Sequence, residues 1–175
     1  RLASELNTRE EVSRMPTTNK MSRKELEEAI VQFLKKHYGG TLATVREDGT
    51  PQASGISFVN DGLTIYFAMD PESYKKSNVD RNPNVGLATF KDYYRFDKAR
   101  AVQLAGKAEL VTDEAEIAKV STLLVEKFPW CLEYTDMLEW AERVGHVPYY
   151  KIVPKTIAYL DYQRFGFNTY QVLEL

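Results

Sequence analysis

Cysteine and histidine are nearly missing from this chain. Cys131 is the single cysteine among 175 residues, and His37 and His146 are the two histidines. One thiol rules out an internal disulfide and is the usage expected of a reducing, cytoplasmic setting. With so few imidazoles and thiols, set so far apart, no zinc pattern of His and Cys ligands can be drawn, and no metal site is expected. Neither sign of charge dominates: 23 basic against 25 acidic residues give a formal charge of -2. That balance gives no whole-chain argument for nucleic acid. No apolar run approaches the roughly 20 residues of a membrane helix, and the start lacks the charged-then-apolar layout of a secretory leader. The glycines nowhere form a phosphate-binding loop or a dinucleotide fingerprint, and no G-x-S-x-G elbow occurs. The scattered carboxylates offer no acid/base pair. A hydrolase reading therefore has no positive support.

What is present suits a globular β protein. Apolar residues make up 43% and aromatics 12%, enough for a real core at this length. Residues 1–20, RLASELNTREEVSRMPTTNK, are polar without an apolar face. They read as a disordered or docking arm, and Arg1 in place of Met points to a trimmed or added end. The remainder, 21–175, is expected to be a single domain. Ser22 with Glu25 three positions on forms a capping box, and Leu26, Ala29, Ile30, Phe33 and Leu34 recur at helical spacing. Gly39-Gly40 is expected to end that helix.

From Thr41 the period becomes two. TLATVRE, Asp48-Gly49, PQASGISFV, Asn60-Asp61-Gly62 and LTIYFAM read as three antiparallel strands joined by two hairpins. VGLATF and AVQLAGKAELV extend the sheet. Asp113 caps an expected helix with Ile117, Val120, Leu124 and Phe128 on one face, and a second short helix is expected over 135–144. YYKIVP and TIAYLDY return to strands, with TYQVLEL as an edge strand. The fold class is mainly β: an antiparallel barrel of six or seven strands with an N-terminal helix and a helical insert.

The stretch ESYKKSN, after the strand at 63–68, sets two lysines among Ser73, Tyr74, Ser77 and Asn78. Around it, Asp48-Gly49-Thr50-Pro51, Ser73-Tyr74-Lys75, Asn78 and Asn82-Pro83-Asn84-Val85 fall in order, and Gly106-Lys107-Ala108-Glu109 lies on a later strand. This ordered set resembles the pyridoxamine 5'-phosphate oxidase-like, FMN-binding split-barrel family, well over residues 24–111 and loosely beyond. The physical chemistry of the stretch agrees. Ser73 and Asn78 can donate hydrogen bonds to phosphate oxygens, Lys75 supplies a point charge, and helix N–H groups following Pro71 add an anion site. Lys76 reads as a solvated charge.

The resemblance implies more. It lays the strand holding Ser54, Gly55, Ile56, Ser57 and Phe58 along a flavin, sets Ala68 and Met69 at the ring's polar edge, and brings Gln103 near the ring. It implies FMN as cofactor, a homodimer with the cofactor at the two-fold interface, and a small-molecule redox substrate. The chain departs from the vitamin B6 oxidases, which carry arginines where Ser54 and Tyr74 stand and an Arg-Leu-x-Pro segment near the end. An FMN-dependent oxidoreductase of another substrate is expected, with no catalytic side chain named. The rivals are a deazaflavin-dependent reductase, whose anionic tail would want Lys76, Arg81 or Lys107, and a non-catalytic flavin or haem carrier. The aromatics Tyr93, Tyr94, Phe96, Phe128, Trp130, Trp140, Tyr149 and Tyr150 read as core, dimer contact or pocket wall, and His146 and Cys131 as structural.

Overall fold

The computed structural model describes residues 20–143 and 147–175. Residues 1–19 of the expected arm, and His146, lie outside them. Helix α1 (Arg23–Lys36) starts as its capping box requires: Ser22 Oγ accepts from the Glu25 N–H, and Glu25 accepts from the Ser22 N–H at 2.8 Å. Leu26, Ile30, Phe33 and Leu34 bury its apolar stripe. The two glycines do not end this helix. It stops at Lys36 with His37 as cap, and Gly39-Gly40 open strand β1 (Gly39–Val45). Gly40 is required by packing instead, because a Cβ there would stand 2.9 Å from the Ala88 carbonyl oxygen.

Among the described residues eight strands form one antiparallel sheet that curls into a split barrel. β1 pairs with β2 (Pro51–Ser57) across Asp48-Gly49, and β3 (Val59–Asp61) pairs with β4 (Thr64–Ala68) across Gly62, whose φ is 57°. The expected three-strand meander does not form. Buried Phe58 separates β2 from β3, and the strand order β2-β1-β5-β6-β7-β4-β3 puts those two at opposite edges. β2 comes back against β4, which closes the barrel around Leu42, Phe58, Ile65, Phe67 and Ile152.

The sheet continues through β5 (Asn84–Lys91), β6 (Arg100–Leu110), β7 (Tyr149–Asp161) and β8 (Tyr170–Glu174). Where two strands were expected at 149–154 and 156–162, the 13-residue β7 runs unbroken through a bulge opposite Ala105 and Gly106. Pro154 has no N–H to lose from the ladder, and a Cβ on Gly106 would lie 2.3 Å from the Val153 carbonyl oxygen. The resulting bend lets the first part of β7 pair with β4 and the second with β8.

Helix α2 (Tyr74–Arg81) links β4 to β5. Between β6 and β7 lies the insert: α3 (Glu114–Lys127), a 3-10 turn (Pro129–Glu133) and α4 (Thr135–Arg143). β6 and β7 are already paired at Leu110 and Tyr150, so the connection itself needs no helices. α3 instead covers the outer face of β3 and β4, packing Val120 and Phe128 on Val59 and Tyr66. Among the described residues no helix covers the outer face of β2, β1, β5 and β6 in this way. One row across it reads Gly55, Thr41, Ala88 and Gln103, the next Ala53, Ala43, Gly86 and Ala105. No described helix is long and apolar enough to cross a membrane.

Candidate cofactor site

Strand β2 runs between two features. At its first residues, Gln52 Oε1 accepts from Asn78 Nδ2 on α2 at 3.0 Å. At its last, Ser57 lines a cavity of about 430 Å³ together with Ala68, Leu124, Phe128, Cys131 and Tyr149. Between them the outward positions Ala53, Gly55 and Ser57 are exposed and small, and a Cβ built on Gly55 meets nothing within 4 Å. A flat group can therefore lie on this strand and meet only the short side chains of Ala53 and Ser57.

The alternation of β2 sorts the expected contacts. Ser54 and Ile56 point to the inner side; Ser54 is half-buried and Ile56 sits in the barrel core. Ile56 can therefore offer only backbone to a ligand on the outer face. Met69 is likewise enclosed in the core, and its N–H donates to the Pro148 carbonyl at 3.1 Å, so it does not present a free donor to a ring. Ala68 does face out, into the apolar cavity beside Ser57.

The phosphate set is also rearranged. Ser73 is the N-cap of α2: its hydroxyl accepts from the Lys76 N–H and donates to the Asp70 carbonyl at 2.7 Å, which uses the proton expected to reach phosphate. Asn78 is 5% exposed, and its amide N–H groups donate to Thr44 Oγ1 and Gln52 Oε1. Its Oδ1 accepts from Arg81 Nη2 at 3.1 Å. It is a buried structural hub and not a donor to an external anion. Half-buried Lys75 has no hydrogen bond or ion pair with any described residue, and the first N–H groups of α2, those of Tyr74 and Lys75, have no intrahelical acceptor.

Lys76 differs from the solvated charge expected. It pairs with Asp80, whose other oxygen accepts from the Tyr150 hydroxyl, and the Asp80 hydrogen bond raises the Lys76 pKa above its ordinary value. On the insert, Lys127 donates to the Leu34 carbonyl at 3.1 Å and lies 4.4 Å from the centre of the Phe58 ring. Burial pushes its pKa from 10.5 down to about 8.

Gln103 is not brought to this site within one chain. It lies on the outer face of β6, three strand spacings from Gly55 in the same row, or about 14 Å at roughly 4.8 Å per strand. Two further polar side chains went unread in the sequence. Arg46 and Gln52 flank the recognised Asp48-Gly49 hairpin, and Arg46 Nε donates to Gln52 Oε1 at 3.3 Å. The signal was their symmetric placement across that turn.

Comparison with known proteins agrees with this architecture. General stress protein 26 of Bacillus subtilis (strain 168) is 34% identical over 97 residues, spanning 55% of this chain and 67% of the relative. The crystal structure of conserved hypothetical protein Rv2991 from Mycobacterium tuberculosis superposes with a TM-score of 0.68 at 23% identity, covering 89% of this chain and 95% of that one. A heme binding protein from Mycobacterium smegmatis shares the fold with the same TM-score at 18% identity, over 90% of this chain and 60% of that one. The pattern of the family described as Pyridoxamine 5'-phosphate oxidase matches residues 26–161, and the chain belongs to that family.

Proposed function

We propose that this chain binds FMN on the outer face of β2 and works as an FMN-dependent oxidoreductase on a small molecule other than vitamin B6. The observation that carries the reading is the open, small-residue strand Ala53-Ser54-Gly55-Ile56-Ser57, with α2 packed at one end and the apolar cavity at the other. Lys75 and the first N–H groups of α2 suit the phosphate, as a point charge beside unpaired helix donors. The cavity beside Ser57 and Ala68, lined mostly by apolar side chains, suits an apolar ring or substrate. When bound, the flavin supplies the redox chemistry; the protein supplies binding, orientation and electrostatics.

The same reading makes the protein a homodimer. The uncovered rows of glycine and alanine on β2, β1, β5 and β6 form a smooth face on which a second copy can approach closely. Packed so, Gln103 of one chain reaches toward the flavin strand of the other, although the two lie far apart within a chain. Cys131, a free thiol, fits the cytoplasm.

The test is reconstitution. Protein loaded with FMN should show bound-flavin absorbance and quenched fluorescence, and riboflavin should bind at least tenfold more weakly. Equal, weak binding of the two would overturn the phosphate reading. Haem is the second reading, because a heme binding protein shares the fold. An intense Soret band in the purified protein, with no flavin bands, would decide for it.

A further inference from the structure

We propose that the depression between α2 and the β1–β2 hairpin is a second anion site, taking a phosphate or carboxylate group of a small molecule. Tyr74, Ser77, Asn78 and Arg81 fall at helical spacing i, i+3, i+4 and i+7, so α2 presents them on one face. Arg46 and Gln52 come from the two sides of the hairpin. Together these residues line a cavity of about 600 Å³. Two guanidinium groups face it, and neither is in an ion pair among the described residues.

Their positions are set from beneath by one network centred on buried Asn78. Asn78 donates to Thr44 and Gln52 and accepts from Arg81, while the same Gln52 oxygen accepts from Arg46. Each arginine is thus tethered through a single N–H, and the rest of its planar fork is left for a ligand. Free forks of this kind recognise the paired oxygens of phosphate and carboxylate groups, which a lysine cannot match. Ser77 adds a hydroxyl donor, and Tyr74, 82% exposed, offers a ring face at the rim. Glu47 also lines the depression and opposes an anion, so the lining carries two positive charges against one negative. Lys75 is not among the lining groups, and the site does not depend on the flavin reading.

Calorimetric titration of the full chain with pyrophosphate and with citrate, at low ionic strength, tests this. Wild type should bind at least one of them, and the tighter of the two identifies the phosphate or the carboxylate source. Arg46→Gln and Arg81→Gln should each weaken binding roughly 10- to 150-fold, the range for a charge-assisted contact. Arg46→Lys and Arg81→Lys should fail to restore it, and Glu47→Gln should tighten it. Lys75→Ala should leave the Arg46- and Arg81-dependent binding in place, which separates this site from the flavin phosphate. Absence of binding by wild type, full activity of the lysine variants as anion binders, or loss in Lys75→Ala alone would each overturn the proposal. Circular dichroism of each variant guards against misreading an unfolded protein.

Discussion

At the scale of single residues, the two adjacent lysines of ESYKKSN part company. Lys76 is held by Asp80, one turn along α2, while Lys75 has no described partner. Lys75→Ala should therefore weaken FMN by about 1.5–3 kcal/mol, or roughly 10- to 150-fold, the range of a charge-assisted hydrogen bond. Lys76→Ala should cost folding stability no more than about 1 kcal/mol, as a partly exposed pair does, and leave FMN affinity nearly intact. Titrating both variants with FMN and riboflavin reads this directly, since the Lys75 effect should vanish with the ligand that has no phosphate. An equal effect at both lysines would sink it. The sequence could mark Lys75 because a charge beside a helix start is a local feature. It could not show that Asn78 was already satisfied, because its partners Thr44 and Gln52 are set by the fold, whereas the partner of Ser73 is the Asp70 carbonyl only three residues away.

At the scale of elements, local signals decided what was legible. The Ser22 and Asp113 caps and both hairpin turns are short-range chemistry, and α1, α3 and β2 start where those residues say, whereas β1 starts two residues early, at Gly39. The break at Phe58 and the bulge at Pro154 are not local. Each exists because the sheet must close on itself, and Phe58 is an unremarkable apolar residue in an apolar run. The insert gives a prediction of its own. Lys127 ties α3 to the end of α1 through the Leu34 carbonyl, and burial holds its pKa near 8 against an ordinary 10.5. Between those values the unfolded chain binds more protons than the folded one, so stability should rise as pH climbs from 8 toward 10.5. The burial penalty is fully present below that window. Lys127→Met removes the titrating group. From about pH 7.5 to 9.5 the wild type should gain on this variant by about 1 kcal/mol, or roughly 2–4 °C in Tm. Parallel Tm curves for the two proteins would contradict it.

At the scale of the whole molecule, the described residues cover one face of the barrel and leave the other open. α3 covers β3 and β4, whereas the rows centred on Ala88 and Ala43 carry side chains too small to shield the sheet. Alternation along β1, β5 and β6 was readable from sequence, but which of its two faces would stay open was not, since that depends on where the insert lands. Phe90, 60% exposed on the outward side of β5, adds apolar area to this face. Ala88 lies in the middle of the row that joins Gly55 to Gln103. In a monomer Ala88→Arg is a surface change, within about 0.5 kcal/mol of neutral. In a dimer packed on this face it would bury an unpaired guanidinium, at a cost of about 3–5 kcal/mol. Sedimentation at micromolar concentration should therefore find wild type as a dimer and Ala88→Arg as a folded monomer. FMN affinity should fall along with the dimer, because Gln103 from the second copy is lost from the site. Riboflavin affinity should fall by the same factor, since the ring contacts and not the phosphate contacts are removed. That pattern is the inverse of the one expected for Lys75→Ala, so the two variants report on opposite ends of one ligand. A variant that still dimerises, or a monomer that keeps its full FMN affinity, would place the shared face elsewhere on the barrel.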